Sequence, residues 1–363
     1  MRRQLKKTIW LLAGFALFGV FFWYKERAAV AAGQPSSWEA LTKANPWTLV
    51  VGLLLMIVSQ LPLLGMWVYL CRRAGIGRPF HELYRMFAVI LFLGPNTPGR
   101  SGEMALPLMD RENFGRLTSV VVVNRVFGIL FTAGLALFFM AVCMSAKIIP
   151  GRQGYLVVLL VAILLGIVFT ALNRRVLTWL VGRLFAVLGW FESIGPVARI
   201  VALKPRVDEE IDKFYAAIRN MIHWRGVVLV FLLQVAAYAF VLLANWMVLR
   251  SLGVDRASPI TVLGVMAAMS LSGLVALTPG GMGVGEWIGE GVFKLYQIRV
   301  PAAYYALIRL MMQLGLPAFY LSTAWLVKKA TAGRAAEPAE AEAEEESGGV
   351  KTEAPATPDA NPR

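Results

Sequence analysis

Long apolar stretches alternate with short clusters of charge along most of this chain. Segments 8–24, 47–70, 119–144, 155–172, 226–249 and 304–327 are apolar over almost their whole length, and each is long enough to cross a hydrocarbon layer of ~30 Å as a helix. Two further apolar stretches, 83–110 and 259–296, are each broken by a Pro-Gly turn, at Pro98-Gly99 and at Pro279-Gly280-Gly281. These predict helical hairpins that dip into the bilayer and return. The expected fold is therefore all-α: a polytopic integral membrane protein with six full spans plus two re-entrant helical hairpins. Broken backbone at membrane depth is tolerated only where it faces protein or a water-filled cavity, so both hairpin tips are expected to line an internal site.

Composition agrees with this pattern. Hydrophobic residues make up 58% of the chain and charged residues 16%, against about 25% charged in soluble domains. The formal net charge of +14 does not point to nucleic acid, because the basic residues stand at the ends of apolar segments rather than on one binding face. They serve orientation instead. With the N-terminus in the cytoplasm, 47–70 returns inward to Arg72, Arg73, Arg78 and Arg85, and 155–172 returns to a loop, 173–225, with nine Lys/Arg; both obey the positive-inside rule. Segment 8–24 runs through Phe21, Phe22, Trp23 and Tyr24 into Lys25, Glu26 and Arg27, which suits an uncleaved anchor better than a signal peptide. Both termini are expected on the cytoplasmic side of an inner membrane.

The chain divides into a membrane domain, 1–330, and an acidic tail, 331–363, whose composition cannot bury a core and predicts disorder. Within the domain, 173–225 is the cytoplasmic amphipathic segment. Its part 176–191 suits a helix lying in the interface, and 205–223 reads as an amphipathic helix with Ile211, Tyr215, Ile218 and Ile222 on one face.

The two hairpins are related. Thr97-Pro98-Gly99-Arg100-Ser101-Gly102-Glu103 and Thr278-Pro279-Gly280-Gly281-Met282-Gly283-Val284-Gly285-Glu286 share a Thr-Pro-Gly turn and a Gly-Glu ending. Glu103 is followed 22 residues later by Arg125 inside an apolar helix, and Glu286 is followed 23 residues later by Arg309 inside another. Because charge places the copies on opposite faces, they form an inverted repeat, the arrangement that puts a transporter's substrate site near the midplane. Each ionised group at the centre of a membrane helix costs roughly 2.5 to 3.5 kcal/mol, so these four must be paired or wet. One reading makes them salt bridges that fasten each hairpin to its helix. The other adds a hydrophilic cavity for a polar headgroup. A phosphate would suit the second: Gly99, Gly102, Gly280, Gly281, Gly283 and Gly285 leave backbone N–H groups open, and Arg100, Arg125 and Arg309 supply charge-assisted donors.

Other chemistry has little support. Cys71 and Cys143 fall at segment ends on opposite faces, His81 and His223 are far apart in loops, and no zinc spacing exists. No phosphate-binding Gly-x-x-x-x-Gly-Lys-Ser/Thr loop is present, and neither a metal nor another cofactor is expected.

Pro98-Gly99-Arg100-Ser101-Gly102-Glu103 with Asn124-Arg125, and the second copy with Arg309, resemble the lysylphosphatidylglycerol synthase transmembrane (flippase-like) family over roughly residues 8–330. The resemblance implies movement of an anionic or polyprenyl-type lipid headgroup between leaflets. The soluble aminoacyl-transfer domain of the full-length synthase is not found after the last helix, so synthesis of lysyl lipid is not expected. Two rivals stay open: an intramembrane lipid transferase using Glu103 and Glu286 as acid and base, and a membrane scaffold for a soluble synthase or glycosyltransferase partner.

Overall fold

The computed structural model describes residues 2–33, 35–97, 101–110, 112–145, 159, 162–163, 166, 173–190, 201, 204–275 and 281–329. Every element among them is helical, and no strand occurs among the described residues. Four helices are long and apolar enough to cross a membrane: Pro46–Arg73, Phe114–Val142, Trp224–Ser251 and Ala302–Lys329. They coincide with four of the predicted segments. Segment 8–24 falls inside the Arg2–Ala31 helix, whereas 155–172 lies mostly, and 331–363 wholly, outside the described residues.

The first of the four is not continuous. It runs as Pro46–Val58 and Gln60–Arg73, joined at Ser59. Pro62 lacks the N–H that would bond the Val58 carbonyl, and its ring crowds the preceding turn. Polar side chains fill the break, with Ser59 Oγ donating to Met56 O at 2.6 Å and Gln60 Nε2 donating to Ser59 Oγ at 2.9 Å.

Beside a small cluster of Ala136, Ala267 and Leu271, two large hydrophobic cores occur among the described residues. One contains Trp67, Leu83, Phe87, Leu117, Val230 and Tyr320; the other contains Met56, Phe139, Val248, Val262, Phe293 and Tyr304. All four long helices contribute to both, one end to each. The hairpins do not. Residues of Phe80–Leu93 and Leu106–Met109 join only the first core, and residues of Pro259–Val275 and Val284–Leu295 join the second. The two hairpins therefore sit at opposite ends of the long helices.

Each hairpin doubles back on itself. Arg78 Nη2 lies 3.2 Å from Asp110 Oδ2, so the ends of the first hairpin are clasped together. Asn113 Nδ2 donates to the same Asp110 oxygen at 3.0 Å. Burial alone would raise the Asp110 pKa, but these donors and the Arg78 charge outweigh it and hold the carboxyl below its usual range. In the second hairpin Gly289 faces Val265 and Met269 so closely that a Cβ would stand 3.1 Å from Met269 Sδ. Those residues lie about as far before the Thr278-Pro279-Gly280 motif as Gly289 lies after it. Small residues also allow close helix approach between the spans: a Cβ on Gly52 would meet Val248 Cγ2 at 2.9 Å and Ala244 O at 3.1 Å.

The two helices of segment 173–225 are Arg174–Gly189 and Lys204–Met221, linked by Arg174 Nη2 and Asp212 Oδ1 at 2.5 Å. The buried face of the second is Ile211, Phe214, Ala217, Ile218 and Met221. This corrects the predicted face, because Ile222 is 41% exposed. The helix ends at Met221, so Ile222 falls beyond it.

Candidate functional site

Glu286 follows a turn that only glycine tolerates. Gly281 and Gly283 have φ of 72° and 79°, the left-handed region closed to most side chains. Gly283 caps the helix Val284–Leu295 and delivers Glu286 in its first turn, fully buried at 0% exposure. Arg309 Nε donates to Glu286 Oε1. The other oxygen, Oε2, has no hydrogen-bond partner among the described residues.

One turn further along the same face is Glu290, 5% exposed. Lys25 Nζ lies 2.8 Å from its Oε1, and Tyr305 OH donates to its Oε2 at 3.2 Å. Glu286 and Glu290 on one helix thus meet Arg309 and Tyr305 on another, each pair four residues apart. Sequence reasoning missed Lys25, Glu290 and Tyr305. The four-residue spacing was the available signal; a partner from the Arg2–Ala31 helix had none.

In the first hairpin Glu103 is 3% exposed and lies 3.6 Å from Arg125 Nη1. Its carboxylate rests on Gly94, where a Cβ would come within 2.8 Å of Glu103 Oε1. Thr97 organises the turn, its Oγ1 donating to Leu93 O at 2.9 Å and accepting from Gly102 N at 2.6 Å.

That last bond corrects an expectation. The N–H of Gly102 is engaged by Thr97, and the N–H of Gly285 donates to Gly281 O at 2.8 Å, so neither is open to an anion. Gly283 is a packing site as well, since a Cβ there would lie 2.7 Å from Leu17 Cβ. Glycine at these positions serves chain geometry. Gly99, Arg100 and Gly280, also expected at the site, lie outside the described residues.

Both hairpins reach the same stretch of the last long helix. Its α-helical run Ala302–Leu310 passes into a π turn, Met311–Gly315, where Leu316 N bonds Met311 O. Pro317 explains the irregularity. Having no N–H, it cannot bond the Gln313 carbonyl four residues earlier. Asn96 Nδ2, from the first hairpin, donates to that carbonyl at 3.4 Å. The second hairpin meets Tyr305 and Arg309, and the first meets Gln313, one turn away. The acids Glu103, Glu286 and Glu290 are thereby balanced by Arg125, Arg309 and Lys25, which offsets the cost of burying them. Among the described residues no group of three or more His, Cys, Asp or Glu is placed to hold a metal ion.

A family model described as the lysylphosphatidylglycerol synthase TM region matches residues 11–319. No match is found among curated proteins or among solved structures.

Proposed function

This chain belongs to the lysylphosphatidylglycerol synthase TM family, a membership that gives it a membrane lipid-related function, and from that premise we propose that it carries a lipid headgroup between leaflets. The substrate is an anionic or polyprenyl-type lipid of an inner membrane. In this reading 1–330 forms six spans and two re-entrant hairpins in an inverted repeat, with both termini cytoplasmic and 331–363 a solvated tail. The lipid tails stay in the bilayer while the headgroup crosses between the hairpins, without covalent change. A soluble synthase or glycosyltransferase would supply or use the lipid.

One observation carries the proposal. Two buried Glu–Arg pairs each join a hairpin to a long helix, and the two hairpins touch successive turns of the last helix, at Arg309 and at Gln313. The hairpin helices, each contributing to only one of the two large cores, support the re-entrant arrangement. A static fastening would need neither charge nor duplication, since apolar packing serves as well or better. A guanidinium released from its carboxylate can take a phosphate oxygen in the same fork geometry. Arg125 and Arg309 therefore exchange partners as the headgroup passes, while Glu103 and Glu286 hold them in place between passages.

The test is a reconstituted scrambling assay. Purified protein in phosphatidylcholine vesicles with fluorescent phosphatidylglycerol, or a fluorescent polyprenyl phosphate, should expose inner-leaflet label to an external quencher. Arg125→Ala and Arg309→Ala should each slow that exposure at least tenfold, the effect of losing about 1.4 kcal/mol of stabilisation. Rates equal to wild type in both variants would remove the transport assignment.

A further inference from the structure

Gln313 is 4% exposed, and its Nε2 is enclosed with no hydrogen-bond acceptor among the described residues. Buried amides are almost always satisfied, so an unsatisfied one points to a group that visits the site. Its surroundings say what kind. Gln313 lies in the π turn, a feature found frequently at functional positions, and one turn from Arg309. Its backbone carbonyl already accepts from Asn96 of the first hairpin, and its side-chain amide is the unsatisfied donor. Arg309, paired with Glu286, stands one turn before this residue, and Asn96 of the hairpin that carries Glu103 reaches its backbone.

We infer that the Gln313 amide is a third headgroup-binding position, an N–H donor to a phosphate oxygen that meets Arg309 one turn away. This rests on the transport reading above and assigns a residue that the duplicated motif does not contain. The position suits a neutral donor. A further cation one turn from Arg309 would hold a phosphate too firmly to release it, whereas an amide offers one uncharged hydrogen bond in transit. Its Oε1 accepts, so an incoming hydroxyl on the same headgroup is also served.

The assay uses the full chain in phosphatidylcholine vesicles with the two fluorescent lipids named above. Gln313→Met keeps the side-chain length without the amide. Gln313→Glu keeps the shape and replaces the donor with an acceptor. Each should slow the lipid that wild type moves by about tenfold, the effect of one lost hydrogen bond to a charged group. The thermal unfolding midpoint of Gln313→Met in detergent should stay near wild type, which separates a binding role from a structural one. Should either variant fail to fold, the other carries the comparison. A folded variant moving lipid at the wild-type rate overturns the Gln313 assignment and leaves the transport reading standing. A wild-type protein that moves neither lipid overturns both.

Discussion

Lys25 Nζ stands 2.8 Å from Glu290 Oε1, tying the far end of the Arg2–Ala31 helix to the second hairpin. Both side chains are largely buried, at 14% and 6% exposure, and removing one partner from such a pair costs about 3 to 5 kcal/mol. Lys25→Met should therefore lower stability by that amount, and the double variant Lys25→Met with Glu290→Gln should recover most of it. Unfolding in detergent by a double-mutant cycle measures the coupling. A double variant that loses the sum of the two single losses would mean that the pair contributes nothing of its own.

Glycines in this chain divide by what surrounds them. A Cβ on Gly102 would stand 2.6 Å from Leu93 O and 2.7 Å from Thr97 Cγ2, whereas one on Gly128 would meet nothing within 4 Å. Gly102→Ala should cost about 1 to 3 kcal/mol through overpacking. Gly128→Ala, inside the Phe114–Ser145 helix, should be neutral or stabilising by up to about 1 kcal/mol. Thermal midpoints of the two variants should move in opposite directions from wild type, or Gly128→Ala should not move at all.

Much of this arrangement was legible in the residue pattern, and the exceptions have physical causes. Apolar length located the four long helices, and the duplicated Gly-Glu with a helix-borne Arg located both ion pairs. Proline was the neglected signal. Pro62 and Pro317 lie inside predicted spans, and each frees a carbonyl four residues earlier, which accounts for the break at Ser59 and the π turn at Met311–Gly315. The Lys25–Glu290 contact was not legible, because it joins residues 265 positions apart with no shared motif. The expectation of open glycine N–H groups failed at Gly102 because Thr97, five residues before it, supplies an acceptor.

Asn96 and Pro317 act on one carbonyl. Asn96→Ala would leave Gln313 O without its side-chain donor, a loss of about 1 to 3 kcal/mol if the group stays buried. Pro317→Ala returns an N–H to the helix and offers that carbonyl an internal partner. The Asn96→Ala penalty should accordingly shrink in the Pro317→Ala background. Comparing both stabilities in detergent tests this, and an unchanged penalty would detach Asn96 from the turn.

Acid should loosen the first hairpin. The Asp110 carboxyl is held below its usual pKa in the folded chain, so its contribution to stability is present above the unfolded value and is lost as pH falls through the folded one. Wild type should lose stability over that acidic range, and Asp110→Asn should show a flatter profile there. Unfolding midpoints measured from neutral to acidic pH resolve the difference. Parallel curves would assign the acid response to other carboxylates.

The π turn has a consequence for everything that follows it. One residue beyond the α-helical count rotates the remainder of a helix by about 100°. Before the turn, Tyr305 and Arg309 aim at the second hairpin; after it, Tyr320 reaches the Ile57 carbonyl and Thr323 the Tyr84 hydroxyl. The last helix thus works as a two-sided key, cut for one lock along its first half and for the other along its second. Removing a single residue between 311 and 315 would put the two halves out of phase, and no change of side chain farther along could realign them.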